Sequence, residues 1–93
     1  MTDQDILGML KVDLGITTTA YDDRLTQYIT SSRSLIEREG VIFNSENLED
    51  CQLNVMCAAW LWRKRDMPGD MPRALRYNLN NRIFSEKMKE TNG

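Results

Sequence analysis

Apolar side chains return every third or fourth position through most of this chain, and that period limits its fold more than any other feature does. It is clearest over residues 20–39, in "AYDDRLTQYITSSRSLIERE". There Tyr21, Leu25, Tyr28, Ile29, Leu35 and Ile36 keep the spacing, and Ser32 fills the slot between Ile29 and Ile36. Side chains so spaced share one face of an α-helix, whereas a half-buried strand would alternate. The other face carries Asp23, Arg24, Gln27, Glu37 and Arg38, and Gly40 supplies a stop.

Three further stretches share the period. Over residues 3–14, Ile6, Leu7, Leu10 and Leu14 fall on one face. Thr2 can cap this helix with Asp5 three positions on, Asp3 and Asp5 suit its N-terminal dipole, and Gly15 suits its end. "ITTT" is poor helix and reads as a connection. "VIF" (41–43) is too short to found a sheet and reads as an extended connector tucked into the core. Asn44, Ser45 and Asn47 are candidate caps for a helix over 47–65. Its second half, "VMCAAWLW", is apolar on nearly all sides, which predicts a central, covered helix. "DMPGDMP" breaks it: Pro68 and Gly69 make a turn, and Asp70 can cap a last helix over 71–89 with Pro72 in its first turn. "KETNG" reads as a frayed tail. The expectation is all-α: one domain over residues 1–93, a small bundle of about four helices with no sheet of three or more strands.

The chemistry such a chain can hold is narrow. It has no histidine, so the commonest general base is absent. Asp22 and Asp23 are adjacent and diverge on a helix, as do Glu37 and Glu39. The only glycine–proline cluster, "PGDMP", lacks phosphate-loop spacing, and "NSENLED" lacks calcium-loop spacing. Cys51 and Cys57 would be separated by about 9 Å of helical rise and cannot bridge within a helix. They read as reduced, buried small apolar residues. No catalytic set, metal site or cofactor is expected. No apolar run approaches the ~20 residues of a membrane span. "MTDQDILGML" lacks the order of a signal peptide, which predicts a protein that stays in the cytoplasm where it is made.

Charge is polarised along the chain. Residues 1–62 carry four basic and ten acidic side chains, and residues 63–93 carry eight basic and four acidic, so −6 and +4 underlie the net −2. The last helix concentrates the basic share and shows two apolar stripes. Leu75, Leu79 and Ile83 form one; Tyr77, Phe84 and Met88 cluster opposite; Arg73, Arg76, Asn80 and Lys87 lie between. Arg82 falls near the Leu75–Leu79 stripe and is expected to serve the fold. A second apolar stripe beside a basic strip needs a covering surface, either another part of the same domain or a partner. Arg73, Arg76, Tyr77, Phe84, Lys87 and Met88 are therefore the candidate protein-interaction residues. A helix-turn-helix DNA reader is the alternative, although "DMPGDMP" is longer than the usual three- or four-residue turn and a pI of about 5.0 suits DNA poorly.

The order of segments carries a resemblance. An acidic first helix ends "DLGI"; "YDDRLTQYITSSRSLIEREG" has a D-x-x-L-x-x-x-I pattern with "IE" near its end. An apolar helix then ends "AAWLWRKRD", and "MPRALRYNLNNRIF" follows a proline with leucine and arginine. Over about residues 3–89 this resembles the small head–tail connector (portal adaptor) family of long-tailed bacteriophages and prophages, also described as DNA-packaging proteins. The resemblance implies an all-helical virion subunit made in the bacterial host cytoplasm and placed at the head–tail junction. It further implies a ring of about twelve copies on the portal protein, contacts with itself and with the portal, and a platform for the next head-completion or tail-joining protein. DNA would pass through the channel without sequence-specific binding.

Overall fold

The structure, a computed structural model, describes residues 1–92, with side chains described through Lys89. Four helices follow in order: α1 (Asp3–Leu14), α2 (Asp22–Arg38), α3 (Leu48–Lys64) and α4 (Arg73–Asn92). No strand occurs among the described residues, so the chain is a small all-α bundle.

Local chemistry sets the helix ends. At α1 the Thr2 hydroxyl accepts from the Asp5 amide at 3.2 Å, and the Asp5 carboxylate accepts from the Thr2 amide at 2.9 Å. This reciprocal box satisfies two orphan donors of the first turn. Gly15 closes α1 at φ 71°, a left-handed conformation that costs glycine nothing. At α3 the Asn47 side chain accepts from the Asp50 amide at 3.1 Å. Two ends depart from expectation. Asp70 does not cap α4, because Pro72 disfavours helical backbone at Met71. The helix starts at Arg73, with the Pro72 carbonyl accepting from the Arg76 amide at 3.0 Å. The second is that α4 continues past Lys89 to Asn92, into the segment read as tail, and Lys89 suits the dipole of its last turn.

α3 is the spine, which explains its nearly all-round apolarity. Cys51, Val55, Ala58 and Ala59 face one way, against Ile6, Leu7 and Leu10 of α1 and Leu25 and Ile29 of α2. Leu53 and Cys57 face a second cluster with Ile36, Val41, Leu75 and Leu79. Between α2 and α3 runs a buried polar seam. Asn54 donates to the Ile29 carbonyl at 3.1 Å and to the Ser32 hydroxyl, and Arg33 donates to the Asn54 side-chain oxygen at 3.2 Å. Ser32 thus occupies the core-facing slot its spacing predicted, and it is fully buried. The "VIF" connector is only partly tucked in: Val41 is buried but Ile42 is 74% exposed. Extended backbone sends successive side chains to opposite sides, so both cannot face one core. Tyr21, placed on the apolar face of α2, sits at its N-cap, 47% exposed and edge-on to Trp62.

Candidate docking surface

α4 is amphipathic in an unusual sense. Leu75 and Leu79 are buried to within 1% and hold it on α3. Arg82 and Glu86 continue that inner face one and two turns on, and both are buried despite their charge. Such burial demands partners. Arg82 donates from Nε to Asp50 Oδ1 at 2.6 Å and from Nη2 to the Ile42 carbonyl at 3.0 Å and to Glu86 Oε1 at 2.7 Å. Asp50 also accepts from the Asn44 amide at 2.9 Å. One guanidinium therefore ties α4 to the first turn of α3 and to the 41–43 connector. The hydrogen bond to Asp50 holds the Arg82 pKa above its ordinary value, and the hydrogen bond from Arg82 holds Glu86 below the usual 4.5. Arg82 serves the fold, as its position beside the Leu75–Leu79 stripe predicted.

The opposite face of α4 is open. At 100° per residue Tyr77, Phe84 and Met88 point about 180° from the centre of the buried face. Tyr77 is 68% exposed, Phe84 64% and Met88 44%. The three form a ridge about 16 Å long, with exposed Asn80 and Asn81 between. The domain does not grip α4 on this side.

The basic strip divides. Arg73 and Lys87 are exposed. Arg76 lies at the border of the two faces, half-buried, with Nη2 3.7 Å from Glu39 Oε1 at the end of α2. It therefore reaches back to its own domain as well as outward. The six sequence-selected residues lie along one helix, on the ridge and its flank. What the sequence reading missed is a second open surface on α1. Met1, Asp5, Gly8, Met9, Val12 and Val55 line a shallow groove there, and Val12 is 84% exposed. The signal was present, since Gly8 and Val12 lie off the Ile6–Leu7–Leu10 stripe.

Cys51 and Cys57 are both reduced and buried, and burial pushes the Cys57 thiol up to about 11. Among the described residues no cluster of three or more histidine, cysteine or carboxylate side chains could hold a metal ion, and no helix is long and apolar enough to cross a membrane. The arrangement offers recognition: a rigid helix, anchored by a buried ion network, that presents aromatic and basic side chains outward. No protein-family model, no curated protein and no solved structure matches this chain.

Proposed function

We propose that the chain is a structural subunit of a tailed-phage or prophage head–tail junction, a connector that docks on the portal and assembles into a ring. The observation that carries this reading is the exposed Tyr77–Phe84–Met88 ridge with Arg73, Arg76 and Lys87 beside it, on the face of α4 away from the core. Aromatic and arginine side chains are the types enriched at protein–protein contacts. The segment order that resembles the connector family supplies the particular assembly. DNA reading has less support. The α3–α4 connection runs over residues 65–72, Arg82 is committed to Asp50 and Glu86, and Arg76 is shared with Glu39.

The test is to mix the purified protein with portal rings encoded in the same genome. Negative-stain images should gain a collar of density at one end of the portal. Binding to duplex DNA should be weak, salt-sensitive and indifferent to sequence, because few phosphates would be neutralised. Bare portal rings together with tight, sequence-selective DNA binding would overturn the connector reading in favour of a regulator.

A further inference from the structure

Gly8 is not explained by its own domain. It lies inside α1, where glycine weakens a helix, and its φ is not positive. A Cβ built there would meet nothing within 4 Å. No neighbour in the chain needs the space. Gly8 is also the low point of the α1 groove, with Met1 and Asp5 before it and Val12 after it. Those positions run i, i+4, i+7, i+11. The α4 ridge has the same spacing: Tyr77, Asn81, Phe84, Met88. Along the helices themselves the α4 ridge extends about 16 Å and the Asp5–Val12 part of the α1 stripe about 10 Å, with Met1 preceding the Thr2 cap.

We infer that copies of this chain meet head to tail, with the α4 ridge of one seated in the α1 groove of the next and Phe84 packed over Gly8. Laid parallel in that register, Asn81 comes beside Asp5 and Met88 beside Val12, while Tyr77 falls at the end of α1 where Met1, its amino group bonded to the Ser45 carbonyl at 2.7 Å, precedes the cap. The large knob then meets the one position without a side chain, and apolar Met88 meets apolar Val12. Charge agrees with this pairing. The groove is rimmed by Asp5 and Asp13, and the ridge is flanked by Arg73, Arg76 and Lys87. Thr2 holds Asp5 below its usual pKa, so that carboxylate stays negative. Ridge and groove are different surfaces on different helices, both carried by every copy. Such contacts are heterologous, and they close into a ring or extend as a filament. One helix in one shallow groove falls short of the ~1,200 Å² of a stable pairwise interface. Single contacts are thus weak, and assembly depends on closure or on a template. The inference rests on the proposed ring-forming role only in taking a second copy as the occupant.

Mixing two one-sided variants tests the pairing. Gly8→Leu fills the groove while favouring the α1 helix, and Phe84→Glu spoils the ridge at an exposed site. Wild-type protein at high concentration should sediment as species larger than a dimer. Each variant alone should associate at least ~10-fold more weakly, with an unchanged far-UV spectrum and a melting temperature no lower than that of wild type. A mixture of the two should give a one-to-one dimer and nothing larger, because only one intact ridge and one intact groove remain per pair. Gly8→Cys mixed with Phe84→Cys should form an intermolecular disulfide, the native cysteines being buried. A wild type that stays monomeric at every concentration, with or without portal, overturns the inference. So do variants that assemble like wild type, or Gly8→Cys and Phe84→Cys proteins that do not cross-link when mixed. The connector reading fails separately, when native oligomers form but leave portal rings bare.

Discussion

Replacing Arg82 with leucine should be among the most damaging single changes in this protein, and the structure gives its size. The Arg82 side chain is 6% exposed and that of Asp50 is 1% exposed. Leucine keeps part of the volume and removes every donor. Asp50 then retains the Asn44 amide as a hydrogen-bond partner and loses both contacts to the guanidinium, at 2.6 and 3.3 Å. Removing one partner of a buried pair costs about 3–5 kcal/mol, because the remaining charge is stranded. A chain of this length is stable by roughly 5–14 kcal/mol in all. The loss is therefore a large share of the total, and the melting temperature should drop by on the order of 10–40 °C. Asp50→Leu alone should cost less, because Arg82 keeps Glu86 and the Ile42 carbonyl as partners. The double variant Arg82→Leu with Asp50→Leu should lose less than the sum of the two, since replacing both members of a buried pair by apolar groups is often near neutral, although Glu86 stays without its guanidinium. Urea melts of the four proteins give the coupling directly. If Arg82→Leu unfolds within ~1 kcal/mol of wild type, or the two losses simply add, the guanidinium is not what fastens α4 to α3.

Stability should fall as pH drops below 4.5, because Glu86 is held under that value by Arg82 and Asp5 under 3.8 by Thr2. A carboxylate depressed in the folded state stabilises above its unfolded pKa and loses that contribution as pH falls through the folded one; acid melts of Glu86→Gln should be flatter than wild type. At the alkaline end, Cys57 is raised from 9.0 to about 11, so its burial favours folding below pH 9 and the benefit declines as pH rises toward 11. Alkaline melts of Cys57→Ala should lack that decline, and a thiol reagent at pH 8 should label wild-type Cys57 only after unfolding. Arg73→Glu with Arg76→Glu should leave a folded subunit, since the pair lost to Glu39 is long, only half-buried and worth ~0–1 kcal/mol. The same variant should fail to coat portal rings, and normal collars in negative stain would remove the basic strip from the docking surface.

The helices were legible because their signals are local. Thr2 with Asp5, Asn47 with Asp50, and Gly15 are caps whose partners lie within four residues, and the 3–4 spacing names the buried face directly. Ser32 shows how far spacing reaches: a polar residue was placed in the core by position alone, and its partner Asn54 comes from another helix. That partner was not legible. Nor was Asp50 as the companion of Arg82, since a contact across 32 residues leaves no trace in either segment; Glu86, four residues on, was readable as a helical i,i+4 pair, but its burial was not. The outer face of α4 was visible as a second stripe, but only the fold decides whether a second stripe is covered. The α1 groove was missed because it is made partly of an absence. Gly8 reads in sequence as a weak point of a helix, and becomes the floor of a groove only once Val55 of α3 lies beside it.

The two faces of α4 also differ in how they can vary. On the inner face each charged group has several partners: Arg82 touches Asp50, Glu86 and Ile42 at once, so a change to any one strands another. The outer residues Tyr77, Phe84 and Met88 are mostly solvated, and substitutions at solvated sites away from such networks usually change stability by no more than ~0.5 kcal/mol. Faces on opposite sides of a helix share few neighbours, so their effects should add. Stability is thus concentrated on one side of α4, and the proposed docking residues lie on the other. A subunit built this way can change what it docks against without losing its fold. The proposed connector role, fitting a portal on one side and its own copies on another, would call for that separation, and an arginine buried beneath the helix, with aromatics above it, is consistent with it.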